Sequence, residues 1–192
     1  MALQLQAGPS FVARGSMYRP LASGETSAVL FAALAPLHGL SQRDAQLLER
    51  SVAGRRFILA MHPFATAERA VMRVALADLA EHEAIVVEAT ASFVADVPYE
   101  DDVAWSNLNA DDQRRTMWFV AIQRLAESLD DVCHGDPGTI HAAWACGMLH
   151  IEVGGVSLSQ FEIDCVLGRA AALEAVAGMR LLMTSAARRG VA

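Results

Sequence analysis

Apolar positions recur at helical spacing through most of this chain. They are densest from Ser157 to Arg189, where they fall on every side of a helix. Val166, Leu173, Ala177 and Thr184 share one side, and Asp164, Gly168, Ala171, Ala175, Gly178 and Leu182 the other. Ser157 and Gln160 fit the pattern of a capping box, and Gly190 follows the segment. A helix that is apolar all round must be covered all round. The pattern therefore predicts one long helix over 157–189, central to the fold or at a subunit interface. Its small residues leave a stripe where a second backbone can approach.

Upstream, Pro9, Gly15, Pro20 and Gly24 leave residues 1–25 irregular. A short helix is predicted from Thr26 to Leu34, ahead of Pro36. Ser41 and Asp44 open a second, Gln42 to Met61, which His62-Pro63 closes, because proline disfavours helix in the residue before it. A third is predicted from Thr66 to Ala95, with Met72, Leu76, Leu79, Val86, Phe93 and Val97 along one face. A fourth runs from Asp111 to Asp131, with Asn109 as its N-cap. Its stripe is Trp118, Ala121, Ile122, Leu125, Leu129 and Val132, with Gln123, Arg124, Glu127 and Asp130 opposite. That is the pattern of an outer helix with its back to water. After a turn over residues 135–138, a fifth helix is predicted from Thr139 to Val153, broken by Gly154-Gly155. No run of β-branched residues alternating with polar ones is read. The expected fold class is all-α, a bundle of five or six helices over residues 26–190.

Composition changes this picture in a few places. A chain of 192 residues is long enough for one domain with a substantial core. Its 54% hydrophobic and 19% charged residues are the reverse of a disordered composition. The net charge of -7 opposes a nucleic-acid role, which needs a basic face against phosphates. All 15 basic residues are arginines, so lysine Schiff-base chemistry and the P-loop lysine are excluded. Cys133, Cys146 and Cys165 show no zinc or C-x-x-C spacing, which predicts reduced, mostly buried thiols. Ala28–Leu37 is too short to cross a bilayer, and Arg169, Glu174 and Arg180 interrupt the C-terminal segment. With no signal-peptide pattern, the expectation is a cytoplasmic protein without a membrane role.

Candidate chemistry is sparse. Glu83 falls within the apolar face of the third helix, with His82 at its edge beside Asp78, while Glu81 and Glu88 point away. A carboxylate on an apolar stripe must find a partner or stay protonated. One reading pairs Glu83 with Arg169 or Arg180 to fix helix register, a second makes it the polar centre of a pocket, and a third leaves it wet at the edge of the bundle. A di-iron bundle would need Glu-x-x-His on two helices. The nearest approach is Asp131-Val-Cys-His134, and His141 and His150 fall on opposite helix faces, so no metal site is expected.

Cys146 and His150 stand four residues apart, where a helix would pair thiol and imidazole and favour a thiolate. The segment Cys146-Gly-Met-Leu-His150 resembles the second half of the Cys-x-x-Cys-x-x-x-His motif of alkylhydroperoxidase-like helical proteins. The position of that motif's first cysteine is Ala143 here. The family's redox chemistry needs both thiols, so the resemblance implies no redox mechanism for this chain. The signatures Gly-x-Gly-x-x-Gly, P-loop, Gly-x-Ser-x-Gly and His-Glu-x-x-His are absent, and no cofactor is expected.

Two functional classes follow. The missing motifs favour a non-catalytic protein that acts by binding, as an adaptor, regulator or small-ligand carrier. The small residues Gly168, Ala171, Ala175 and Gly178 of the last helix predict a homodimer formed partly through it, or else close packing against a helix of the same chain. The alternative is an enzyme with a polar or thiol centre near Glu83, His82, Cys146 and His150.

Overall fold

A computed structural model of the protein describes residues 24–61, 74–92, 103–134 and 138–186. Helices come first: α1 (Gly24–Ala33), α2 (Ala35–His38), α3 (Gln42–Met61), α4 (Glu81–Ser92), α5 (Val103–Ser106) and α6 (Ala110–Cys133). A hairpin of β1 (Thr139–Ala145) and β2 (Met148–Gly154) follows, then α7 (Gln160–Leu167), α8 (Ala171–Ala177) and β3 (Arg180–Ala186). β2 is the middle strand, antiparallel to β1 and parallel to β3. The fold is mostly helical but contains a mixed sheet, which corrects the all-α expectation.

α6 is the central helix. Asn109 caps it as the sequence predicts, its side chain accepting the Asp112 N–H. The expected stripe is buried from Trp118 to Leu129. Gln123 and Asp130, expected on a wet back, are also buried, at 4% and 6% exposure. α1, α4, α7 and α8 all pack against α6, so it does not back onto water. The helix covered all round is this one, not the C-terminal segment.

The predicted helix over 157–189 is three elements. Ser159, rather than Ser157, caps α7 in a reciprocal box with Glu162. Gly178 ends α8 in the left-handed conformation, φ 64, with its N–H on the Glu174 carbonyl. Beyond it the side chains alternate: Leu181 and Met183 are buried, while Arg180, Leu182 and Thr184 are exposed. That period of two is a strand against helices, and three consecutive apolar residues, Leu181-Leu182-Met183, conceal it. The stripe of small residues therefore does not run along one helix.

The predicted helix over 139–153 is the hairpin. Cys146 and Gly147 both have positive φ, 52 and 76, which is the geometry of a two-residue turn between twisted strands. Leu149, Ile151 and Val153 of β2 point into the core, and Ile140 of β1 joins them. The third predicted helix is interrupted: residues 74 and 75 are helical, the chain turns over residues 76–78, and α4 begins at Glu81. Met72, Phe93, Val97 and residues 1–23 lie outside the described residues, while residues 24 and 25, expected to be irregular, belong to α1.

Candidate functional site

The four candidate residues occupy two places. Glu83 and His82 sit in the first turn of α4, and Cys146 and His150 lie on the hairpin. None of the three cavities described below is lined by members of both pairs.

Glu83 is held by α3. Its two carboxylate oxygens meet Arg43 Nε at 2.8 Å and Nη2 at 2.7 Å, and Oε2 also accepts the Ala80 N–H. The Arg43 guanidinium pulls the Glu83 carboxyl down to about 2. The partner is an arginine of another helix, but neither Arg169 nor Arg180; Arg169 reaches Asp131 at 3.2 Å. Arg50 and Asp78 make a second bidentate pair beside the first. Both clamp the chain before α4 onto α3, so Glu83 anchors a helix start. His82 is exposed and borders a hollow of about 490 Å³ with Asn109, Asp111, Asp112 and Arg115 of the α6 start.

On the hairpin, Cys146 and His150 are not on one helix face. Cys146 is exposed in the turn, and His150 projects from β2 opposite Ala143. His150 Nε2 lies 2.8 Å from Thr184 Oγ1 of β3. The helix that would pair thiol with imidazole is not formed, and the likeness to the alkylhydroperoxidase-like motif ends there. Of the thiols, Cys133 is buried and Cys165 is exposed like Cys146, which corrects the expectation that most are buried. Among the described residues, no group of three or more histidine, cysteine, aspartate or glutamate side chains is placed to hold a metal ion.

The sequence reading missed the buried polar groups of α2 and of the seam between α3 and α6. His38 is 1% exposed, between the rings of Phe31 and Trp118. Its Nδ1 accepts the Leu40 N–H and its Nε2–H donates to the Phe31 carbonyl, which fixes a neutral imidazole. Burial lowers its pKa, against the raising effect of the Phe31 bond. Arg115 bridges Asp44 of α3 and Asp112 of α6 at one end of the seam. Arg55 and Glu127, 2.6 Å apart, close it at the other. Between them, Thr116 Oγ1 and Gln123 Nε2 are buried without a hydrogen-bond partner. Residues 44, 51 and 55 and residues 116, 123 and 127 do repeat at helical spacing, a signal hidden because polar residues are read as solvent-facing.

The remaining feature is the sheet's open side. β1, β2 and β3 turn Ile140, Leu149, Ile151, Val153, Leu181 and Met183 to the helices. The opposite face carries Met148, 43% exposed, and Leu182, 44% exposed, with Leu182 in register with His150. Trp144, 42% exposed, stands near the hairpin end of β1. Elsewhere, a groove of about 940 Å³ runs between α1 and α3, past Phe31, Leu48 and Val52. A smaller hollow of about 330 Å³ lies beside Arg43, Arg50 and Leu79. No helix among the described residues is long and apolar enough to cross a membrane. The chain matches no protein-family model and no curated protein sequence.

Proposed function

We propose that the protein acts by binding rather than by catalysis, through the open side of its sheet, and that a second copy of the chain is one of its partners. The observation that carries this reading is where exposed apolar surface gathers. Met148 and Leu182 share the open face, and Trp144, in register with Leu149 on the helix-facing side, is half in water at the hairpin end of the edge strand β1. Large apolar side chains left half in water on one sheet favour association. Two of the four candidate groups are engaged structurally: Glu83 holds Arg43, and His150 holds Thr184.

Photo-cross-linking tests the reading. A photoreactive residue is placed at position 182 or 144, with position 160 on exposed α7 as the control. Discrete adducts from 182 and 144, and none from 160, are the expected result. Equal labelling from all three positions, or none from any, overturns it.

The α1–α3 groove favours a second reading, a small-ligand carrier. Its volume, about 940 Å³, falls in the range of about 300–1,000 Å³ seen for ligand pockets. An apolar environment-sensitive dye should then bind the wild type and not Ala53→Trp, which fills the groove.

A further inference from the structure

We propose that β1 pairs with β1 of a second copy, antiparallel about a two-fold axis at Ala142, to make one continuous sheet. The inference rests on the binding reading above and names the surface and the register.

The backbone directions decide which groups are free. Arg180 N–H donates to the Gly147 carbonyl, and Gly155 N–H donates to the Ala186 carbonyl. The odd-numbered backbone groups of β2 therefore face β3, and the even-numbered ones face β1. Through the register Thr139↔Gly154 to Ala145↔Met148, residues 139, 141, 143 and 145 of β1 are bonded to β2. The N–H and C=O groups of Ile140, Ala142 and Trp144 point to the other edge, which no described strand covers.

Those three residues are self-complementary. With Ala142 opposite Ala142 of the second copy, Ile140 faces Trp144 and Trp144 faces Ile140. Each of these is a hydrogen-bonded pair that exchanges both of its N–H···O bonds. The half-exposed Trp144 thereby gains a β-branched neighbour directly across the strand, a favourable cross-strand pair. On the other face, His141 meets Ala143 and Thr139 meets Ala145, so no like charges are opposed.

Charge points to the same occupant. Edge strands of proteins that stay single are guarded by charge, proline, bulges or short length. β1 spans seven residues, Thr-Ile-His-Ala-Ala-Trp-Ala, with no acid, arginine or proline. An uncharged edge takes an uncharged strand, although the chain as a whole carries -7. A copy of β1 supplies one of matching length and side-chain alternation, and paired strands from identical chains close in a two-fold.

Ala142→Pro tests the pairing. Its N–H points to the free edge, so proline there leaves the hairpin's own bonds intact. The wild type is expected to scatter light as a dimer, and Ala142→Pro as a monomer with an unchanged circular-dichroism spectrum. Trp144→Lys, which keeps every backbone group but sets an ammonium opposite Ile140, is expected to weaken the dimer at least tenfold. It serves also if Ala142→Pro fails to fold. A dimer that persists undiminished in Trp144→Lys, or in folded Ala142→Pro, overturns the β1 pairing and leaves the binding reading standing. A wild type that stays monomeric at high concentration overturns the pairing as well. Adducts to other proteins from positions 144 and 182 then still decide the broader reading.

Discussion

Truncating Leu181, Leu182 and Met183 one at a time to alanine tests the strand that replaces the expected long helix. Leu181 is 8% exposed and Met183 3%, and both face the helices across the sheet. Removing either side chain leaves a cavity, at a cost of about 2–5 kcal/mol. Leu182 is 44% exposed on the open face. Its truncation removes about three carbons at roughly 0.8 kcal/mol each when fully buried; half burial and no cavity bring the cost to about 1 kcal/mol. For a chain of this size, 1 kcal/mol moves Tm by about 2–4 °C. A 3 kcal/mol loss at Leu181 or Met183 therefore lowers Tm by about 6–12 °C, against about 3 °C at Leu182. Urea unfolding of dilute protein gives the three values without a contribution from association, provided the m-value is unchanged. A cost at Leu182 as large as at its two neighbours would refute the alternation, and with it the assignment of β3.

Three further outcomes follow from the ionisable groups. Burial holds the His38 imidazole below its ordinary 6.5, so the unfolded chain binds the proton first. Stability is then full above about pH 6.5 and falls as the pH drops below it; urea midpoints from pH 8 to 5 should show this slope, and His38→Gln should flatten it. Glu83, held at about 2 by Arg43, contributes stability above its ordinary 4.5 that is lost as the pH falls toward 2. Because water screens this pair, Glu83→Gln at pH 7 should lower Tm by no more than about 3 °C, and less in 1 M salt. Glu127→Ala takes one charge-assisted hydrogen bond from Arg55, which is 8% exposed, and should cost about 1.5–3 kcal/mol in urea unfolding.

The helices were legible where period and cap agree. Asn109 and the stripe through Ile122 and Leu125 define α6, and Ser41 with Asp44 defines the start of α3, where their side chains bond reciprocally. The strands were obscured by alanine. Ala142, Ala143 and Ala145 blur the alternation of β1 and favour a helical reading. Yet Leu149-His150-Ile151-Glu152-Val153 alternates strictly, and Cys146-Gly147 sits between two runs of equal length, so a hairpin signal was present. Gly178, read as one of a stripe of small residues, is the left-handed stop of α8. Glu83 was rightly given an arginine partner from another helix, but the choice of Arg43 depends on how α3 and α4 pack, which periodicity does not contain. The polar seam of Arg55, Glu127 and Gln123 was unreadable for the same reason. A polar stripe looks alike whether it faces water or another polar stripe.

Residue-by-residue amide exchange on β1, measured by nuclear magnetic resonance at high and low protein concentration, tests the central claim most directly. The amides of His141, Ala143 and Ala145 face β2 and should be protected at every concentration. Those of Ile140, Ala142 and Trp144 should be protected in concentrated protein and exchange freely on dilution. Free exchange of these three amides at every concentration, with His141 and Ala143 still protected, would show that the edge of the sheet stays open to water and would contradict the account.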